Sequence, residues 1–197
     1  MNSRTIAIIG APATGKTLLC EELAKLTKWS LVYESAQMPE YVIQDLNSNP
    51  ESLRTQIWFR NQRINGFANI KQTENEVTIL DTFWLSCKVF ANFMPDKFEK
   101  ELFLQMIDID CMFMPWPDVI IGLTCSDEMV YRFFKNRNAN YEQADFSFER
   151  VCQVKREYEN LYHDYEQIHV LDREFLDFKN SDDIKQIANK IYSIFKN

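Results

Sequence analysis

The segment Gly10-Ala-Pro-Ala-Thr-Gly15-Lys16-Thr17 constrains this chain more than any other. It fits the pattern G-x-x-x-x-G-K-[ST] at each fixed position, and it stands between stretches of different periodicity. Before it, residues 4–9 (RTIAII) form a short, β-branched apolar run of the kind that makes a fully buried strand. After it, LLCEELAKL repeats its apolar residues at helical spacing. A glycine loop joining a buried strand to a helix belongs to an α/β architecture. Two of the chain's 4 glycines lie in this loop, as a backbone that must approach a ligand closely requires.

The rest of the chain keeps the same alternation. Residues 30–33, 77–80 (VTIL), 119–123 (VIIGL) and 168–171 (IHVL) read as further strands. Between and after them the sequence predicts a helix opened by Pro39, a long one over 52–71, and an aromatic one over 83–93 broken by Pro95. Others follow over 97–114, 127–137 and 146–165, and Ser181-Asp182-Asp183 is expected to cap the last. Strands alternating with helices imply right-handed crossovers and a five-stranded parallel sheet with helices on both faces. At 197 residues, with no internal repeat and no Pro/Gly/Ser-rich linker, residues 1–197 are expected to form one domain.

Charge narrows the partners. With 29 acidic against 22 basic residues, the net charge of −7 gives no general attraction to nucleic acid or to an anionic membrane, so any phosphate must be held locally. The start MNSRTIAIIG lacks the features of a signal peptide, and no run reaches the ~18–20 apolar residues of a membrane span. A cytoplasmic protein without nucleic-acid or membrane partners is expected. The five cysteines are scattered without a C-x-x-C pair and read as small buried apolar residues. His163 and His169 have no acidic or cysteine cluster around them and are assigned no catalytic role.

The loop carries the chemistry. Its N–H groups and the helix start that follows can wrap the oxygens of a triphosphate, because unpaired donors and the helix dipole both favour an anion there. Gly10, Ala11, Pro12, Ala13, Thr14, Gly15, Lys16, Thr17 and Leu18 are therefore the expected binding site for ATP or another nucleoside triphosphate, in a P-loop NTPase fold. Lys16 would bridge the β- and γ-phosphates, and the Thr17 hydroxyl would ligate Mg²⁺. Asp81, ending the strand at 77–80, is the expected second magnesium group, held through water, in preference to the helix N-cap role its position also allows. Glu34 follows a short strand and should project from the carboxyl edge of the sheet, where a carboxylate can accept the proton of an attacking hydroxyl.

These residues resemble the deoxynucleoside kinase family over nearly the whole chain. The family's glutamate lies eighteen residues beyond the P-loop lysine, as Glu34 does from Lys16. Its glutamine and arginine on the next long helix look like Gln56 and Arg63 in TQIWFRNQR, which share a helix face with Phe59. The resemblance implies substrate roles for Gln56 and Arg63, to which Phe59 and Trp84 are added as candidate stacking rings. The family's arginine-rich lid is similar to YRFFKNRN after Pro117-Asp118, so a lid at about 126–145 is implied, with Arg132 and Arg137 closing over the transferring phosphoryl group. One departure is Asp81-Thr82, where the family carries an arginine after the acid; this dipeptide resembles bacterial ribosylnicotinamide kinase domains instead, and Lys88 is a candidate replacement cation.

The implied activity is transfer of the γ-phosphate of ATP, with Mg²⁺, to the 5′-hydroxyl of a (deoxy)nucleoside. Glu34, Lys16, Arg132 and Arg137 would be the catalytic residues. A nicotinamide riboside kinase, a nucleoside monophosphate kinase and an ATPase switch acting through a protein partner remain open alternatives. The run Phe103–Trp116 reads as helix packing or as the face of a homodimer, a state the resemblance makes an expectation.

Overall fold

Parallel pairing organises the chain around its first strand. In the computed structural model, which describes residues 4–34, 38–68, 70, 77–136 and 147–196, the strands are β1 (Arg4–Gly10), β2 (Ser30–Val32), β3 (Val77–Asp81), β4 (Val119–Thr124) and β5 (Ile168–Asp172). They pair in parallel in the order β2-β3-β1-β4-β5. The sheet is thus the predicted five-stranded one, and β1 is where the winding changes direction, the position at which open α/β sheets bind ligands beyond their carboxyl ends. The register sets Asp81 beside Ile8 and Leu123 beside Gly10, so the strand-end acid and the glycine loop share one edge.

Strand periodicity divides the core in two. Ile6 and Ile8 point to one face, with Ile79, Ile121 and Leu123, and meet Leu19 and Leu23 of α1 (Lys16–Thr27) and Ile184, Ile187 and Ile191 of α8 (Ser181–Ile194). Ala7 and Ile9 point the other way, with Leu80 and Ile120, and meet Val154, Tyr158 and Tyr162 of α7 (Phe148–Asp164). Gly122 is required here, because a Cβ on it would lie 2.7 Å from the Tyr162 ring. The helices α2 (Glu40–Ser48), α3 (Leu53–Ala68), α4 (Ser86–Ala91) and α5 (Lys97–Phe113) lie between β2 and β4 in the chain, and α6 (Asp127–Asn136) follows β4. Among the described residues no helix is long and apolar enough to cross a membrane.

Three expectations need correction. The helix predicted over 83–93 is only Ser86–Ala91, because Phe83, Trp84 and Leu85 are all buried (1%, 1% and 0% exposed). Three consecutive core side chains do not fit one stripe of a helix, and the chain bends at Thr82, whose φ is 97°. Pro39 stands at the cap position before α2 rather than within its first turn. The last helix is capped by the Asn180 side chain, which accepts from the Asp182 N–H; Ser181 is already helical.

Candidate active site

The loop between β1 and α1 is held open by its backbone conformation. Ala13 and Gly15 have φ of 64° and 90°, and the Thr14 hydroxyl donates to Ala11 O at 2.8 Å inside the turn. Lys16 folds back over the loop, with Nζ 2.8 Å from Gly10 O and 3.1 Å from Ala11 O.

The Thr17 hydroxyl donates to Asp81 Oδ2 at 2.7 Å, across 64 residues of sequence. The contact brings together the two groups expected at a magnesium ion, a hydroxyl ligand and a carboxylate suited to binding through water. Burial raises the pKa of Asp81; the Thr17 hydrogen bond and Lys16 oppose that, while Glu34 and Glu21 push the same way as burial. A carboxylate so placed gains from a cation, and the donor set fits Mg²⁺. Among the described residues no group of three or more His, Cys, Asp or Glu forms a metal cage. Asp81 is not an N-cap, since α4 begins at Ser86 after Leu85.

At the end of β2, Arg63 of α3 reaches Glu34. Its Nε donates to Glu34 Oε1 at 2.9 Å and Nη2 lies 2.8 Å from the same oxygen. Nη1 lies 3.1 Å from the Cys87 sulfur, and the guanidinium sits 5.6 Å and 5.5 Å from the Phe59 and Phe90 ring centres. Burial alone would lower the pKa of Arg63, but the Glu34 carboxylate more than reverses it, so the cation stays charged at any working pH. Tyr158 is buried beside this pair and bonds Ser86, which lies 3.4 Å from the Thr82 hydroxyl; burial pushes the phenol up to about 12, so it stays protonated.

Other predicted residues fall differently. Gln56 is buried, with its amide nitrogen on Pro50 O at 3.0 Å, on the same helix face as Arg63. The loop it braces is tied to α7 by an ion pair between Glu51 and Arg150. Trp84 offers no stacking surface: it is 1% exposed, 4.4 Å from Phe83 and 5.2 Å from Trp116 between ring centres. Lys88 does not replace an arginine at Glu34, because its Nζ is 2.9 Å from Asp108 Oδ1 on α5. Arg132 is exposed on α6, 3.8 Å from Glu128. Arg137, and with it residues 137–145 of the proposed lid, lies outside the described residues.

Sequence reasoning missed two groups. The part-buried pair Arg60–Asp110, with Nε to Oδ2 at 2.6 Å, braces α3 against α5. Arg173, directly after β5, donates to Thr14 O in the loop at 2.6 Å. Its position at a strand's carboxyl end was the available signal for it.

Comparison with known proteins agrees with this fold. The chain resembles solved structures of deoxyadenosine kinase from M. mycoides at 22% identity. The form with dCMP and a flexible dCDP matches over 96% of this chain and 99% of that one, with a TM-score of 0.77. The form with bound dCTP matches over 96% and 99%, and the form with bound dATP over 95% and 99%, each with a TM-score of 0.78. At that identity the likeness shows the fold. No curated protein matches the sequence. A family model described as deoxynucleoside kinase matches residues 6–196, nearly the whole chain: the protein belongs to the deoxynucleoside kinase family and is a nucleoside phosphotransferase.

Proposed function

We propose that this nucleoside kinase takes ATP in the loop Gly10–Leu18, with Mg²⁺ at Thr17 and Asp81, and transfers the γ-phosphate to the 5′-hydroxyl of a deoxynucleoside lying against α3. The observation that supports this most is the convergence on one sheet edge of the loop, the Thr17–Asp81 contact at 2.7 Å and the Glu34–Arg63 pair. In this reading Glu34 removes the hydroxyl proton. Arg63 is the cation that holds the Glu34 carboxylate in place, with Phe59 and Phe90 as apolar walls. Gln56 directs the base. A bound Mg²⁺ supplies charge neutralisation on the phosphates. Lys16 holds the phosphate chain, and Arg132 and Arg137 are the lid cations that close on the moving phosphoryl group.

The test is transfer of labelled γ-phosphate from ATP to deoxyadenosine, deoxycytidine, other deoxynucleosides, ribonucleosides and nicotinamide riboside. A labelled deoxynucleoside 5′-monophosphate supports the proposal; product from nicotinamide riboside alone would refute the acceptor assignment.

The outer face of α5 is the candidate dimer surface. Phe103 and Ile107 turn into the core, whereas Phe98, Ile109, Met112 and Phe113 are exposed (77%, 55%, 71% and 77%), an apolar stripe suited to a second copy of this chain. Light scattering that gives a monomer at micromolar concentration would reject it.

A further inference from the structure

Arg173 lies in the 3₁₀ turn Arg173–Phe175 that follows β5, and its side chain runs back beneath the nucleotide loop. It is 6% exposed. Its Nη1 donates to Thr14 O at 2.6 Å, and its guanidinium carbon lies 4.0 Å from the Phe133 ring centre and 4.5 Å from that of Phe178. These partners are a carbonyl and two rings; among the described residues no carboxylate forms an ion pair with it. Burial pulls its pKa down, more than the nearby Cys125 and Asp177 push it up. A cation removed from water without a counter-charge is costly, and proteins keep such groups where an anion arrives.

The loop is shaped around this side chain. A Cβ on Gly15 would stand 1.8 Å from Arg173 Nη1, so the glycine that follows Thr14 leaves the space the guanidinium fills. The Thr14–Gly15 peptide is trans, which turns the Gly15 N–H away from the carbonyl that Arg173 grips. A charged donor on that carbonyl polarises the peptide and strengthens the N–H on its far side as a donor. The same turn reaches the lid helix. Phe133 belongs to α6, and Glu174 accepts from the Ser126 N–H immediately before α6 at 3.2 Å.

We propose that Arg173 is a positioning residue for the phosphate donor: it fixes and polarises the Thr14–Gly15 peptide, ties the loop to α6, and has its charge balanced when the triphosphate binds. The proposal rests on the reading of Gly10–Leu18 as the donor site.

The test is thermal unfolding of the full chain, with and without ATP or inorganic tripolyphosphate, in wild type, Arg173→Met and Arg173→Lys. Removing a buried charge that no described carboxylate pairs should leave the melting temperature of the free Arg173→Met protein at or above that of wild type. The ATP and tripolyphosphate shifts should fall to less than half, with donor Kd weakened ~10–100-fold, as expected for loss of a charge-assisted contact. The acceptor KM should stay unchanged, and Arg173→Lys should keep more than half of the ATP shift. An Arg173→Met protein that fails to fold, or melts well below wild type, makes Arg173 a structural brace and overturns the proposal. So does one with the full wild-type shift, which leaves the donor site itself intact. A wild type that ATP does not stabilise would instead sink the donor-site reading, and this proposal with it.

Discussion

The two halves of the site are built in different ways. The proposed donor half is contiguous: eight consecutive residues, Gly10–Thr17, running from the end of β1 into α1, carry the backbone turn, the lysine and the hydroxyl. The acceptor half is assembled from distant pieces, with Glu34 after β2, Arg63 on α3, Cys87 on α4 and Tyr158 on α7. A loop that binds through its own backbone carries most of its function in local conformation. A pocket made of side chains from separate elements depends on how those elements pack, so the same acid can be held by different cations in different chains.

If that contrast is sound, damage to the acceptor half should leave the donor half working. Glu34→Gln should lower kcat by ~10²–10⁴-fold, the usual share of a general base, while the Kd for ATP stays at the wild-type value. Single-turnover phosphate transfer with a parallel binding titration checks this; unchanged turnover would remove Glu34 from its role.

Gly15→Ala should do the reverse. The position has φ of 90° and its Cβ would strike a pinned Arg173, so a loss of about 1–3 kcal/mol in stability is expected, together with weakened ATP binding. Denaturant melts and ATP titration read both effects. Wild-type stability and affinity would mean that the loop is less locally determined than the contrast requires.

Arg63→Met sharpens the comparison from the other side. The folded-state pKa of Arg63 is raised, so the pair's contribution is fully present below the ordinary arginine range and would fade only above it. The pair should therefore add no pH dependence near neutrality. Its loss should cost about 1–2 kcal/mol of stability, less than a fully buried pair because the Glu34 side chain is 32% exposed. The pH profile of kcat/KM should shift for the acceptor and not for ATP binding.

The smallest effect is expected at Asp81→Asn. The raised pKa means that the native state binds the carboxyl proton more tightly than the unfolded chain does. Stability contributed by Asp81 is therefore greatest when it is protonated and is lost as pH rises through its folded pKa. The amide should raise stability of the metal-free protein at neutral pH by on the order of 1 kcal/mol or less while lowering turnover. A fall in stability would reverse the sign assigned to that carboxylate.

Much of this was legible before the fold was known. The five strands, the loop and the strand-end acid follow from short apolar runs and one motif, because strand burial and phosphate cradling use local chemistry. The aromatic stretch at 83–93 misled: its composition favours a helix, but three adjacent core side chains forced a bend at Thr82. Trp84 looked like a stacking surface beside the cleft, and only packing against Phe83 and Trp116 showed it to be core. Lys88 stood at a reasonable spacing to replace an arginine, yet Asp108 on α5 takes it.

By itself, then, the sequence determined a parallel α/β sheet, a glycine loop at Gly10–Thr17 and an acid at each of two strand ends, since these depend on residues near one another in the chain. The tertiary structure alone decided that Arg63 is the cation on Glu34, and that Arg173 lies under the loop 159 residues from Thr14. Such contacts depend on the angle and register at which whole elements pack, which spacing along a single chain does not encode.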